Sequence, residues 1–344
     1  MKRKGRGAVT NPTGRYERYQ YVPLEERDKV PTVVTPDSTR SILARNDSPD
    51  VPFDVSINPY RGCEHGCIYC FARPTHAYLG LSPGLDFETR IFSKPKAAAL
   101  LQEELGKKSY SCQVIALGAN TDPYQPVEKD LGITRSILEV LSEYEHPVAI
   151  VTKSQLVLRD RDLLAPMAKK NLASVFVSIT TLDPELARTM EPRASTPEKR
   201  LEAVRKLSEE GIPCGVLASP MIPALNDSEL ERILKEGAAA GAVTAGYVLL
   251  RLPLELKDLF SEWLQTHYPT KAKHVESLVR ETRGGAMYQA EFGKRMRGTG
   301  AYAELLEKRF RTARARYGLD RPRPPLDTSR FRGPAHRGDQ LALF

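Results

Sequence analysis

Three of the five cysteines fall within eight residues, in the segment NPYRGCEHGCIYCFARPTH, where Cys63, Cys67 and Cys70 are spaced C-x3-C-x2-C with Tyr69 directly before the last. Thiolates are soft ligands suited to iron–sulfur clusters and to zinc, so the spacing alone leaves both open. A structural zinc site wants a fourth ligand, for which His65 or His76 is at hand. One reading is then a zinc-stabilised, non-catalytic module that binds nucleic acid or a clamp protein. An odd number of cysteines in a chain of 344 residues without a secretion signal argues against a disulfide framework. Cys112 and Cys214 each precede an apolar run, QVIAL and GVLA, the setting of a small buried hydrophobe.

Short apolar runs recur at 53–57, 113–118, 147–152, 174–179, 213–218 and 245–250, and near-continuous runs of this length read as strands buried on both faces. Amphipathic segments lie between them at 93–105, 133–143, 160–169, 196–209 and 228–240. Pro197 and Glu198 behind Thr196, and Glu231 three residues behind Ser228, are helix-start chemistry, and Gly211 and Gly241 supply stops. Six strands alternating with helices imply right-handed crossovers and a parallel sheet, either an incomplete barrel or a doubly wound sheet. Both architectures bind ligands at the C-terminal strand ends. Polar residues gather there: 58–70 after the first run, 120–122 after the second, Lys153 and Ser154 after the third, Thr180 and Thr181 after the fourth, and then 220–226 and Arg251.

With an aromatic residue before the third cysteine and a strand just upstream, the cysteine segment resembles the cluster motif of the radical S-adenosylmethionine superfamily. The resemblance covers about residues 51–300, and its nearest branch resembles proteins related to spore photoproduct lyase through TDP (121–123), TKS (152–154), SIT (178–180), Glu191-Pro192-Arg193 and SPMIPALND (219–227). It implies an α/β fold, a partial (βα)6 barrel of parallel strands. It also implies a [4Fe–4S] cluster on Cys63, Cys67 and Cys70, whose fourth iron is chelated by S-adenosylmethionine and whose electron cleaves that cofactor to a 5′-deoxyadenosyl radical. Asn120, Thr121 and Asp122 then fall where the superfamily holds the methionine amine, often with Gly-Gly-Glu, which here reads Gly118-Ala119-Asn120. Lys153 pairs with the cofactor carboxylate, with Arg193 as a second candidate, Ser178 meets the ribose, and Tyr69 sits near the adenine. Spore photoproduct lyase carries a hydrogen-donating cysteine close to the position of Ala119 or Asn120. Neither residue has a thiol, so repair of the spore thymine dimer does not transfer.

The net charge of +8 is uneven. Residues 1–19 carry +5 and residues 308–337 carry +8, which leaves the remainder at −5. Basic ends on an acidic body suggest a polyanionic partner. Residues 1–50 read as an extended basic arm and 51–300 as the catalytic core. Residues 301–319 read as an amphipathic basic helix, with Tyr302, Leu305, Leu306, Phe310, Ala313 and Tyr317 close to helical spacing and Arg311, Arg314 and Arg316 elsewhere on the wheel. Residues 320–344 read as a disordered tail. The tail ends Gln340-Leu341-Ala342-Leu343-Phe344, resembling the peptide by which bacterial DNA polymerases and repair proteins bind the sliding clamp. No apolar stretch is long enough for a membrane helix, and the basic start MKRKGRGAVTNPTGR leads into no apolar signal core, so a cytoplasmic location is expected. The expected activity is that of a radical enzyme acting on nucleic acid, in DNA repair or tolerance, and fed by flavodoxin or ferredoxin. Modification of RNA or protein by the same chemistry is the alternative.

Overall fold

The six apolar runs all become strands. The computed structural model describes residues 4–18 and 30–333. Its strands are β1 (Val33–Pro36), β2 (Leu43–Arg45), β3 (Val55–Ile57), β4 (Tyr60–Arg61), β5 (Arg90–Ser93), β6 (Ile115–Leu117), β7 (Val148–Thr152), β8 (Ala173–Ser178), β9 (Cys214–Met221) and β10 (Thr244–Leu249). The larger sheet runs β10-β9-β8-β7-β6-β3-β2. Strands β3 and β6 to β10 are parallel and lie side by side in chain order, while β2 closes the β3 edge antiparallel. This is the partial (βα)6 barrel, with every parallel strand delivering its C-terminal end to one mouth.

Branched side chains build the core, with Ile57, Ile115, Val148, Ile150, Val175 and Val216 buried among apolar side chains of the crossover helices. The expected helices form at Ala97–Leu105, Ile133–Glu143, Arg161–Lys169, Pro197–Glu209 and Leu230–Ala239. Thr196 caps its helix by accepting from the Lys199 amide at 3.4 Å. Ser228 does not cap the Leu230–Ala239 helix, which starts from a 3-10 turn at Asp227–Glu229. Glu231 instead receives Arg309 at 2.7 Å.

The arm is less independent than its composition suggests. Strand β2 belongs to the main sheet, and β1 pairs parallel with β5 in a second sheet of order β1-β5-β4. Ala8 and Val9 are buried. Two further helices, Leu256–His267 and Pro269–Glu281, bury Trp263, Phe260 and Val275 against Ile68, Met190 and Leu250 around the mouth. The basic helix runs Ala301–Arg316 and buries Ala303, Leu306, Phe310 and Ala313, while Leu305 stays exposed.

Residues 320–333, expected to be without structure, cross the opposite end of the sheet. The Asp327 amide donates to the Asn171 carbonyl at 2.9 Å and the Arg332 amide to that of Tyr144 at 2.9 Å. Phe331 fixes them, with its ring 5.4 Å from Tyr110 and 5.2 Å from His146. A single aromatic anchor outweighs the Pro, Arg and Gly composition around it. No helix of the described residues is long and apolar enough to cross a membrane. Residues 340–344 lie outside the described residues.

Candidate active site

The cysteine loop follows β3 and β4 at the mouth, and many of its backbone amides and carbonyls have fixed partners. Buried Arg73 donates from Nε to the Cys67 carbonyl at 2.8 Å and from Nη2 to the Gly66 carbonyl at 3.0 Å. Gln125 bridges the other side, accepting from the Glu64 amide at 2.9 Å and donating to the Gly62 carbonyl at 3.2 Å. The Cys63 amide donates to Phe87 O at 2.9 Å and the Ile68 amide to Met190 O at 3.0 Å. Gly62 and Gly66 hold φ of +78° and +67°, where a side chain is strained.

Arg73 is itself paired with Glu88 at 2.5 Å, both side chains fully buried. Glu88 also accepts from the Gly7 amide at 3.0 Å and the Ala8 amide at 2.8 Å. A Cβ on Gly7 would lie 1.8 Å from the Gly66 carbonyl oxygen, so the N-terminal segment is threaded against the cysteine loop. Sequence reasoning missed Arg73, Glu88, Gln125 and this contact. No local pattern announces them, because each acts across the fold.

Cys63 and Cys67 are buried and Cys70 is half-buried. Burial pushes all three thiols above their ordinary value, with Asp122 adding at Cys63 and Glu191 at Cys67, while Arg73 opposes the rise at Cys70. Metal coordination removes such protons outright. His65 Nδ1 lies 3.4 Å from Asp122. His76 Nε2 donates to the Arg90 carbonyl at 3.0 Å, and its ring sits edge-on to Phe87. Burial holds His76 down at about 4. No group of three or more His, Cys, Asp or Glu side chains that could hold a single metal ion is present among the described residues. Three soft thiols on one ordered loop suit a cluster that keeps one iron free.

The remaining expected site residues converge on the same mouth in different states. Tyr69 is buried, its hydroxyl bonded to Glu191 and 3.1 Å from Thr180 Oγ1. Glu191 is paired in turn with buried Arg200 at 2.5 Å, which also donates to the Ser178 carbonyl at 3.0 Å. Lys153 is half-buried with Nζ 5.8 Å from the centre of the Tyr69 ring. Asp122 accepts from Thr152 Oγ1 at 2.7 Å, the Lys153 amide at 2.7 Å and the Tyr124 amide at 2.9 Å. Burial works against its charge, but His65 and these donors outweigh it and hold the carboxyl at about 2. Asp122 thus ties the ends of β6 and β7 to the cysteine loop.

Thr121 Oγ1 donates to the Tyr60 carbonyl at 2.7 Å, and the Asn120 amide donates to Asn58 Oδ1 at 2.8 Å, leaving the Asn120 side chain exposed. Gly118 precedes them at φ +89°, where a Cβ would lie 2.5 Å from the Val151 carbonyl oxygen. Ser178 is buried at the end of β8. Arg193 meets Glu64 at 3.0 Å on the rim. Asn226, from the SPMIPALND stretch, donates to the Thr180 carbonyl at 2.7 Å and the Pro220 carbonyl at 2.9 Å, fixing the ends of β8 and β9. Cys112 and Cys214 lie at the other end of the sheet, before β6 and at the first residue of β9.

The family model described as the Radical SAM superfamily matches residues 57–237. An uncharacterised protein of Mycobacterium tuberculosis (strain ATCC 25618 / H37Rv) is 37% identical over 280 residues, 80% of this chain and 78% of the relative. Among solved structures, a spore photoproduct lyase variant with dinucleoside spore photoproduct superposes with a TM-score of 0.61 at 17% identity, covering 89% of this chain and 86% of that one. A second variant of that lyase, with bound AdoMet and the same dinucleoside, gives 0.57 at 17% identity over 83% and 79%.

Proposed function

The chain belongs to the radical SAM superfamily, and from that premise we propose that it holds a [4Fe–4S] cluster on Cys63, Cys67 and Cys70 and turns the cleavage of S-adenosylmethionine on a nucleic acid, in a reaction of the DNA-repair kind. The observation that carries the chemistry is the trio of thiols on one loop at the barrel mouth, ordered by Arg73 and Gln125. Bound there, the cluster supplies the electron that cleaves the sulfonium and releases a 5′-deoxyadenosyl radical. Membership of an enzyme superfamily sets aside the zinc-stabilised module.

The chain's own residues divide the work of binding the cofactor. Lys153 has no carboxylate within ion-pair distance among the described residues and faces the ring of Tyr69, which makes it the cation for the cofactor carboxylate. Arg193 is second to it, because Glu64 already neutralises it. Asn120 and Thr121 offer polar groups for the amine and Ser178 its hydroxyl for the ribose. Asp122 supports them by holding the Lys153 amide, since its oxygens are already filled. Tyr69, locked by Glu191, walls the adenine side.

The substrate class is supported by the fold shared with a lyase solved with a dinucleoside photoproduct and by the two basic ends. Residues 340–344 support a further partner, the DNA sliding clamp, and flavodoxin or ferredoxin is the electron donor. Anaerobic reconstitution should give about four irons with matching sulfide per chain and, on reduction, 5′-deoxyadenosine. Stoichiometric zinc without sulfide overturns the reading. Anaerobic crosslinking in cells then identifies the substrate class, and recovery of protein or RNA in place of DNA transfers the activity to those substrates.

A further inference from the structure

We propose that Phe71 and Arg251 form a nucleotide-binding step at the barrel mouth, with an unpaired base stacked on the Phe71 ring and the adjoining phosphate held by the Arg251 guanidinium. The inference rests on the nucleic-acid reading and deepens it. Phe71 follows Cys70 directly, yet 40% of it is exposed, against an almost fully buried Ile68 in the same loop. Arg251 follows the end of β10, and its guanidinium carbon lies 5.0 Å from the centre of the Phe71 ring. An aromatic ring and a guanidinium in contact at an open strand end offer the two surfaces a nucleotide presents, a π-face and an anion.

The charge balance around Arg251 points to an anion. Among the described residues its Nη1 meets only the Met296 sulfur, at 3.4 Å, and its Nε is buried with no partner. Behind it, buried Arg283 donates to the carbonyls of Lys294 and Arg295 at 2.9 Å and to those of Leu249 and Leu250 at 3.2 and 2.5 Å. Burial and the neighbouring Arg251 cation pull Arg283 down to about 10. Asp50, the nearby carboxylate, is taken by Arg295 at 2.5 Å. Arg251 and Arg283 make no ion pair among the described residues, and Asp50, which feels the Arg251 charge as well as that of Arg295, is one carboxylate against three guanidinium groups. A phosphate, which the planar guanidinium fork matches, supplies the missing charge.

A second guanidinium stacks on aromatic rings elsewhere on the surface. Arg15 meets Glu255, four residues beyond Arg251, at 3.0 Å, and its guanidinium lies 4.7 Å from the ring of Tyr16 and 5.0 Å from that of Tyr78. Both tyrosines are more than half exposed.

The test is fluorescence anisotropy of the reconstituted protein with labelled single-stranded DNA and RNA of equal length over a salt series. Phe71→Leu keeps the bulk but loses the stack, and is expected to weaken binding about tenfold at an unchanged salt slope. Phe71→Trp is expected to keep the affinity. Arg251→Ala is expected to weaken binding by a similar factor and to flatten the slope by about 0.7, one phosphate contact on a single strand, whereas Arg251→Lys keeps the slope. Iron content and melting temperature of each variant identify a folding defect, in which case the Trp and Lys variants carry the comparison, and their loss of binding despite intact folding counts against the pair. If the parent protein binds while Phe71→Leu and Arg251→Ala bind within twofold of it, the nucleotide step is overturned and the nucleic-acid reading stands. Absence of binding to either nucleic acid by the parent protein overturns both.

Discussion

Arg73 and Glu88 form a fully buried ion pair, 2.5 Å from Nη2 to Oε1, beneath the cysteine loop. The guanidinium holds the Gly66 and Cys67 carbonyls, and the carboxylate holds the amides of Gly7 and Ala8. Replacing one partner leaves the other charge buried and alone, which costs about 3–5 kcal/mol. Arg73→Met is therefore expected to lower the melting temperature and the iron bound per chain together. Gly7→Ala, which meets the Gly66 oxygen, should release residues 6–9 to protease without that large loss. Unchanged iron and melting in Arg73→Met would show that the pair does not organise the loop.

The barrel was legible because its signals are local. Six runs such as PVAIVT and SVFVSI each carry enough branched apolar residues to mark a doubly buried strand, and the observed strands fall within about three residues of them. The cysteine spacing was legible for the same reason. Glu88 sits in a five-residue helix, Leu85–Thr89, and Gln125 in a turn, with nothing in either to mark a partner some 60 to 80 residues away. The short β1, β2, β4 and β5 are set by pairing rather than by composition. Phe331 shows the opposite failure, where low-complexity composition hid one anchoring ring.

The thiol trio gives a direct test. Cys63→Ala, Cys67→Ala and Cys70→Ala should each abolish both the cluster absorbance and 5′-deoxyadenosine formation, because two thiols leave two irons without a protein ligand. Cys112→Ala and Cys214→Ala, at the far end of the sheet, should keep both. Anaerobic reconstitution with iron and sulfide counts checks all five, and loss of the cluster in Cys214→Ala would mean that the far end of the sheet governs the loop.

Lys153 separates cofactor binding from cluster assembly. Its ammonium stands over Tyr69 with no carboxylate partner among the described residues, so removing it should cost a charged hydrogen bond, roughly 1.5–3 kcal/mol or ten- to a hundredfold in affinity for S-adenosylmethionine. Equilibrium binding of the cofactor to reconstituted Lys153→Ala measures this, with iron content expected to stay at the parent value. Lys153→Arg should recover part of the affinity. Parent-like binding in Lys153→Ala would move the role to Arg193, which Arg193→Ala then tests.

The far end of the sheet carries a pH dependence of its own. His146 is fully buried; its Nδ1–H donates to the Pro147 carbonyl at 3.0 Å and its Nε2 accepts from the Tyr110 hydroxyl at 2.7 Å, with Phe331 edge-on to the ring. Burial, only partly opposed by the Pro147 carbonyl, holds the imidazole down at about 4. An unfolded histidine titrates near 6.5, so between about 6.5 and 4 the unfolded chain binds the extra proton and stability falls as pH falls. The contribution is complete above about 6.5 and lost below about 4, and it is on the order of 3 kcal/mol at most. Urea midpoints of the parent protein should therefore drop across that window more steeply than those of His146→Gln, which keeps a polar side chain but cannot titrate. Because Phe331 rests on the same ring, protease cleavage within residues 327–333 should speed up in parallel. Identical pH profiles for the two proteins would show that His146 binds its proton equally in the folded and unfolded chain, and that burial between Tyr110 and Phe331 does not depress its titration.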